Sequence, residues 1–329
     1  MKNENNINFP LAKGRGQKAK SMKILLLLLF LMLLGNGHAN AQLSPISNEY
    51  VVNPYLINPA LAGIDQTTSL KLTSRMQWAG LDDAPRTQSI SFDMRIKALG
   101  RYDHNGKVLR KSGFPRTGRV GLGAYVLNDM NNPFRRSGVQ VSYAYHLPFN
   151  HGKAGQLSLG LSGAFFQHHV SNSDFMPADG NDPALSGNEN VMIPNLCFGV
   201  NYLYRKFFIS VSALNLFPAK INHYNENLES VGKQVFIYSG YQIGNVSGIS
   251  FTPAVLLRSN PQSYDVLGKI SIKEKINMVV TWQSTESAYA FFHFRFGNYL
   301  LGYSFEYSMS EVQRYNDGTH LVFLGYTFN

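Results

Sequence analysis

From residue 67 onward the chain repeats one pattern: about ten residues of near-strict apolar–polar alternation, then a turn. Leu70, Leu72, Met76 and Trp78 alternate with Lys71, Thr73, Arg75 and Gln77. Ile90, Phe92, Met94 and Ile96 alternate with Ser89, Ser91, Asp93 and Arg95, and Val139 to Leu147 repeats the theme. A period of two sends one set of side chains to each face of a sheet, whereas a helix needs apolar residues three to four apart. Fourteen such segments lie near 67–78, 87–96, 119–128, 138–147, 156–167, 195–204, 207–216, 234–243, 248–258, 264–272, 276–283, 287–296, 299–308 and 318–328. Most have the ~9–11 residues a tilted strand needs to cross a bilayer, against ~5–6 for strands of soluble proteins. The pattern predicts an all-β fold: a transmembrane, antiparallel, up-and-down β-barrel of fourteen strands, the even number expected of a single bacterial chain.

The connections predict an orientation. With a periplasmic N-terminus every even-to-odd connection is periplasmic and should be short. Arg205-Lys206, Gly244 to Ser247, Lys273 to Lys275 and Gly297-Asn298 fit, while the odd-to-even side holds the longest and most polar connections, near 168–194, 217–233 and 309–317. One periplasmic connection breaks the rule, an insert at 97–118 carrying Lys97, Arg101, Lys107, Arg110, Lys111 and Arg116 against the single acid Asp103. Such a patch would steer association with an acidic periplasmic partner. The chain closes on Val322, Leu324, Tyr326 and Phe328 at alternate positions, resembling the C-terminal strand signal read by the outer-membrane barrel assembly machinery, although Asn329 makes the aromatic penultimate. Tyr202, Tyr204, Phe207, Tyr299, Phe305 and Tyr307 suit aromatic girdles among the outer-membrane lipids.

The first 41 residues read as trafficking. Lys13, Arg15, Lys18, Lys20 and Lys23 lead into an 11-residue apolar run, Ile24 to Leu34, too short to span as a helix, and Ala39-Asn40-Ala41 supplies a small-residue exit. This predicts a signal peptide over 1–41, cleaved before Gln42, with Met22 an alternative start. Its six Lys/Arg and one acid account for +5 of the +10 formal charge, leaving about +5 on the mature chain, which gives no reason to expect nucleic acid as a partner. The lone Cys197 allows neither an intrachain disulfide nor a cysteine metal site.

No residue pattern points to catalysis or to a cofactor. His168 and His169 are adjacent, so in a strand they face opposite ways and cannot share an ion. Asp174, Asp179, Asp182 and Glu189 lack calcium-loop spacing and read as a solvated acidic loop. His293 and Arg295 share a strand face with Tyr289 and Phe291, as Ser304 and Glu306 do on the next strand, but nothing pairs a nucleophile with an oriented base. Polar residues lining a wet lumen account for them.

Between the cleavage site and the first strand, residues 42–66 carry Asn53-Pro54 and Asn58-Pro59-Ala60-Leu61-Ala62-Gly63, a turn-rich lead-in or a lumenal plug. The second motif, followed by Gln77-Trp78-Ala79-Gly80 and by Ala84-Pro85 with Thr87-Gln88-Ser89, resembles the start of the PorP/SprF family, with Asn58, Pro59, Ala60, Gly63, Gln77, Trp78, Gly80 and Pro85 carrying the likeness. Gly121-Leu122-Gly123, Leu157 to Gly160 and Pro194 to Gly199 continue it along the mature chain. Leu61 stands where the family often has an aromatic, and the basic insert looks longer than usual.

The resemblance implies a non-enzymatic outer-membrane component of the type IX secretion and gliding apparatus. Its partners would be other secretion components and a large surface protein with a C-terminal sorting domain, with a periplasmic lipoprotein as a further candidate. The alternatives are a diffusion channel or small-solute transporter, which would be open, and a barrel hydrolase, which would need lipid- or peptide-cleaving activity.

Overall fold

The computed structural model describes residues 49–96, 119–132, 134–149, 154–170, 189–217, 219–223, 226–245 and 247–328. The chain divides into two units, Met1–Asn40 and Ala41–Asn329, and every described residue belongs to the second. The leader at 1–41, the basic insert with Lys97, Arg101, Lys107, Arg110, Lys111 and Arg116, and the loop acids Asp174, Asp179 and Asp182 lie outside the described residues, as does the side chain of Glu189.

Fourteen antiparallel strands form the wall: β1 (Thr68–Met76), β2 (Arg86–Ile96), β3 (Val120–Asn131), β4 (Phe134–Pro148), β5 (Gln156–Val170), β6 (Glu189–Tyr204), β7 (Phe207–Leu214), β8 (Gln234–Tyr241), β9 (Ile249–Ser259), β10 (Gln262–Ile272), β11 (Ile276–Gln283), β12 (Ser287–Phe296), β13 (Tyr299–Ser308) and β14 (Thr319–Phe328). Each pairs with its sequence neighbours, β8 joins β9 with Phe236 opposite Arg258, and β1 joins β14 from Thr68–Phe328 to Met76–His320. The sheet therefore closes on itself, leaving no unpaired edge for a bilayer to desolvate. Ile243–Gly244 adds a short further pairing with β9.

The alternation sorts by exposure in the inverted sense of a membrane barrel. Leu72 is 44% exposed on the outer face, while its neighbour Lys71 is 8% exposed and points inward. Val141, Phe198, Val280, Leu301 and Val322 continue the outer apolar surface; Thr73, Ser89, Ser142, Ser162 and Thr281 are buried within. An apolar exterior over a polar interior is stable only with lipid outside.

All fourteen segments appear where the alternation put them, and β11, β12 and β13 match residue for residue. Two differences have one cause. Strands β4, β5 and β6 run to 15, 15 and 16 residues, several beyond a bilayer's need. The connection near 217–233 contains a small hairpin, Ala219–His223 with Glu226–Val231. Past the membrane both faces of a strand are wet, so the hydrogen-bond ladder continues while the alternation disappears. The elongated wall rises at the end opposite the tight turns Arg205-Lys206, Lys273 to Lys275 and Gly297-Asn298.

Candidate functional site: the plugged lumen

The lead-in enters the barrel and occupies much of its interior. Three successive 3-10 turns run over Glu49–Val51, Pro54–Leu56 and Pro59–Leu61, the latter two opened by the Asn-Pro pairs. Proline at the first position of the latter two has its φ already fixed and gives up an N–H that would have no partner there. Asn58 caps the third turn, its Oδ1 accepting from the Ala60 N–H at 2.9 Å. Tyr55, Leu56, Ile57, Ala60 and Ala62 are buried, Tyr55 at 0% exposure, so the apolar core of the molecule lies inside the lumen, between plug and wall.

Hydrogen bonds tie the plug to strands around the ring. The Tyr55 hydroxyl donates to the Ala124 carbonyl of β3 at 2.8 Å. Asn58 Nδ2 donates toward the Val200 carbonyl of β6 (3.0 Å), Ser210 Oγ of β7 (2.9 Å) and the Val211 carbonyl (3.3 Å). The Gly63 N–H donates to Asp93 Oδ1 of β2 at 2.7 Å, and Lys71 Nζ of β1 donates to the Val52 carbonyl at 2.6 Å. Ser212 of β7 donates to the Ile57 carbonyl. His146 Nε2 lies 2.9 Å from the Ala62 carbonyl, which can only accept, so Nε2 carries the proton and Nδ1 takes the Ser158 hydroxyl at 2.8 Å. On the far wall the Tyr50 hydroxyl donates to Asp265 Oδ2 (3.1 Å) and accepts from Tyr289 (2.9 Å). Asp265 is also held bidentately by Arg258 at 2.7 and 2.5 Å.

Glycines admit the plug backbone to the wall. A Cβ at Gly160 would lie 2.0 Å from the Ala60 nitrogen, one at Gly199 would lie 1.9 Å from Asn58 Oδ1, and one at Gly121 would lie 2.0 Å from the Ala62 oxygen. No side chain fits at those separations, so β3, β5 and β6 present glycine where the Asn-Pro segment docks.

Glu49 is the most deeply committed charge of the plug. Its carboxylate accepts from Thr73 Oγ1 at 3.2 Å and from the Tyr125 hydroxyl. Burial pushes the Glu49 carboxyl above its ordinary range, and the two hydrogen bonds only partly offset this.

The sequence-singled residues separate into distinct places. Asn58, Pro59, Ala60 and Gly63 form the plug. Gln77, Trp78, Gly80 and Pro85 sit in the β1–β2 connection at the raised end of the barrel. There the Gln77 N–H donates to the Pro85 carbonyl (2.8 Å), and Ala79 exchanges backbone bonds with Gly318 and Asp317 of the β13–β14 connection (2.8 and 2.7 Å). Val322, Leu324, Tyr326 and Phe328 lie along the outer face of β14. His169 bonds Asn190 at 2.8 Å, His293 bonds Asn277 at 2.9 Å, and Glu306 pairs with Arg75 at 3.3 Å. The glycine cradle is what the reading of the sequence passed over as a site, although parity offered the signal: Gly160 falls in step with inward-facing Ser158 and Ser162.

The sequence model of the type IX secretion system membrane protein PorP/SprF matches residues 39–326. The chain belongs to the PorP/SprF family. Both halves of the geometry just described, the Asn-Pro plug and the glycines that receive it, fall inside the stretch this PorP/SprF protein shares with its family. A comparison with curated proteins finds no match. Among solved structures, the Ralstonia pickettii toluene transporter TbuX is similar at 10% identity and a TM-score of 0.52, over 83% of this chain and 92% of that one. The Acinetobacter baumannii outer-membrane protein Omp33 matches at 9% identity and a TM-score of 0.43, over 80% of this chain and 99% of that one. At such identity the likeness to TbuX speaks to the barrel fold alone.

Proposed function

We propose that this PorP/SprF protein is a non-enzymatic outer-membrane accessory of type IX secretion. It supports export or surface anchoring of specific proteins with C-terminal sorting domains and links them to periplasmic partners. The observation that carries this reading is the occupied lumen: residues 49–63 lie within the barrel and are bonded around its wall, an arrangement suited to a scaffold rather than to a solute path. The plug supplies no paired nucleophile and base, which favours a binding role over hydrolysis.

In this reading residues 1–41 direct export and are removed, and the N-terminus and short turns face the periplasm. The outer face of β14, from Val322 to Phe328, is what the barrel assembly machinery engages. The basic insert joins strand ends at the short-turn rim and would dock an acidic periplasmic partner, such as a lipoprotein. Reversing the charges of Lys107, Arg110 and Lys111 should lower recovery of that partner; unchanged recovery would remove the insert from the proposal.

The test of the whole is the surface and secreted proteome of a deletion strain against its parent. Selective loss of one or a few large proteins with C-terminal sorting domains is expected. An unchanged proteome, together with a stable open conductance from the purified barrel in planar bilayers, would return the assignment to a channel or solute transporter.

A further inference from the structure

The plug does not fill the lumen at the short-turn end. A cavity of about 320 Å³ remains between its Tyr50–Ile64 stretch and the wall, at the lower limit of volumes that hold small ligands and equal to roughly ten waters at liquid density. It is open, and its rim residues Asp65, Thr67, Lys269, Arg295 and Thr327 lie at the same end of the barrel as the tight turns.

The lining divides by chemistry. The floor is apolar, with Phe291, Leu300 and Phe323 buried in the wall opposite Leu61 of the plug. Around it stand Lys71, Lys269 and Arg295, with Asp65 the one carboxylate of the lining. Lys71 is occupied, its ammonium held by the Val52 carbonyl and, at 3.4 Å, by Asn53 Oδ1. Arg295 is different: its Nε is buried with no hydrogen-bond partner, and the described residues give its guanidinium no ion pair. The terminal nitrogens of the half-buried Arg295 have no carboxylate partner among the described residues, so an anion entering the open cavity meets them there rather than at the occluded Nε. The planar fork of arginine matches a carboxylate bidentately, and a low-dielectric floor strengthens that attraction while accepting an apolar tail.

We propose that this vestibule binds a small amphiphilic carboxylate, its head between Arg295 and Lys269 and its tail on Phe291, Leu300 and Phe323. The site is independent of the secretion role, since it rests on the cavity, its apolar floor and the cations around it alone.

The experiment is calorimetric titration of the full mature chain, purified in a neutral detergent, with 4-phenylbutyrate, its uncharged amide and 2-phenylethyl phosphate. The expected result is saturable 1:1 binding of the carboxylate, with the amide weaker by about tenfold or more. The double variant Arg295→Gln, Lys269→Gln should lose binding to a similar degree, and the far-end control Arg314→Gln, an exposed residue of the β13–β14 connection, should keep it. Equal binding of acid and amide would reduce the site to an apolar crevice and overturn the proposal, as would absence of saturation up to the solubility limit. Tighter binding of the phosphate would overturn the carboxylate assignment. Should the double variant fail to assemble, the acid–amide comparison and the loss of affinity with added salt on the unmodified protein still decide the matter.

Discussion

Replacing Asn58 by alanine tests whether the plug is held by specific bonds or by bulk packing alone. The Asn58 side chain has two hydrogens to donate, with Val200 O, Ser210 Oγ and Val211 O at 3.0, 2.9 and 3.3 Å as acceptors, and it accepts once, from the Ala60 N–H at 2.9 Å. Two donated bonds and one accepted bond at about 1 kcal/mol each give about 3 kcal/mol. Ser210 keeps its bond to Asn201 at 3.1 Å, so it is not stranded, whereas the Ala60 N–H is left buried and unpaired. The variant should therefore weaken plug docking by about 3 kcal/mol, a shift of roughly a hundredfold in the docked-to-undocked ratio. Hydrogen–deuterium exchange of the peptide spanning 49–63 in the purified barrel reads this directly, because those amides exchange only when the plug leaves the wall. Exchange in the variant within about threefold of the parent would refute the accounting and assign the plug's retention to apolar burial instead.

Further outcomes follow from the same geometry. Gly160→Val puts side-chain atoms where the Ala60 backbone lies, so the plug should be displaced outright, with exchange over 49–63 at the undocked rate while barrel migration on unheated gels persists. Deleting 42–63 should turn a closed barrel into one with stable conductance in planar bilayers; a closed deletion variant would mean that something other than the plug seals the lumen. The Glu49 carboxyl is raised by burial, so the stability it lends is full below the unfolded carboxylate value of about 4.3 and declines as pH rises through the folded value. Plug exchange, corrected for intrinsic rates, should accordingly quicken with rising pH in the parent and hold flat in Glu49→Gln. Val280 is 60% exposed near the middle of β11, so Val280→Lys should destabilise the barrel in lipid vesicles by about 2–4 kcal/mol in urea titrations, against little change for a rim position such as Arg314→Lys.

Much of this was legible in the sequence because a membrane writes itself into a strand as strict alternation. The boundaries of β11 to β13 are set where bilayer and lumen both end, and the residues change character there. The outer parts of β4 and β5, around Arg135, Arg136, His168 and His169, carry no such mark, since neither face meets lipid, yet backbone pairing continues through Phe134 and Val170. The Asn-Pro motifs were readable as turns, but their destination was not: docking is a relation between Ala60 and Gly160, a hundred residues apart, that no local pattern encodes. Two signals could have disclosed it. Phe291 and Phe323 break the polar rule of the inward face, and Gly121, Gly160 and Gly199 fall on inward-facing positions, together indicating that the interior holds protein rather than water.

The seam between β1 and β14 bears on how such a molecule is made. The plug is joined to β1 through residues 64–67 and precedes every strand of the wall in the chain, whereas β14 follows the other thirteen. A ring of fourteen strands already zipped shut would have to pass Tyr55, Leu56 and Ile57 through an opening that those same residues fill. Chain order suggests a way round the difficulty: a segment made first would be wrapped by successive hairpins, with pairing of Thr68 and Phe328 as the closing step. The N-terminal segment is in this sense the form on which the cylinder is wound, and a barrel lacking it should assemble more slowly even where its finished wall is sound.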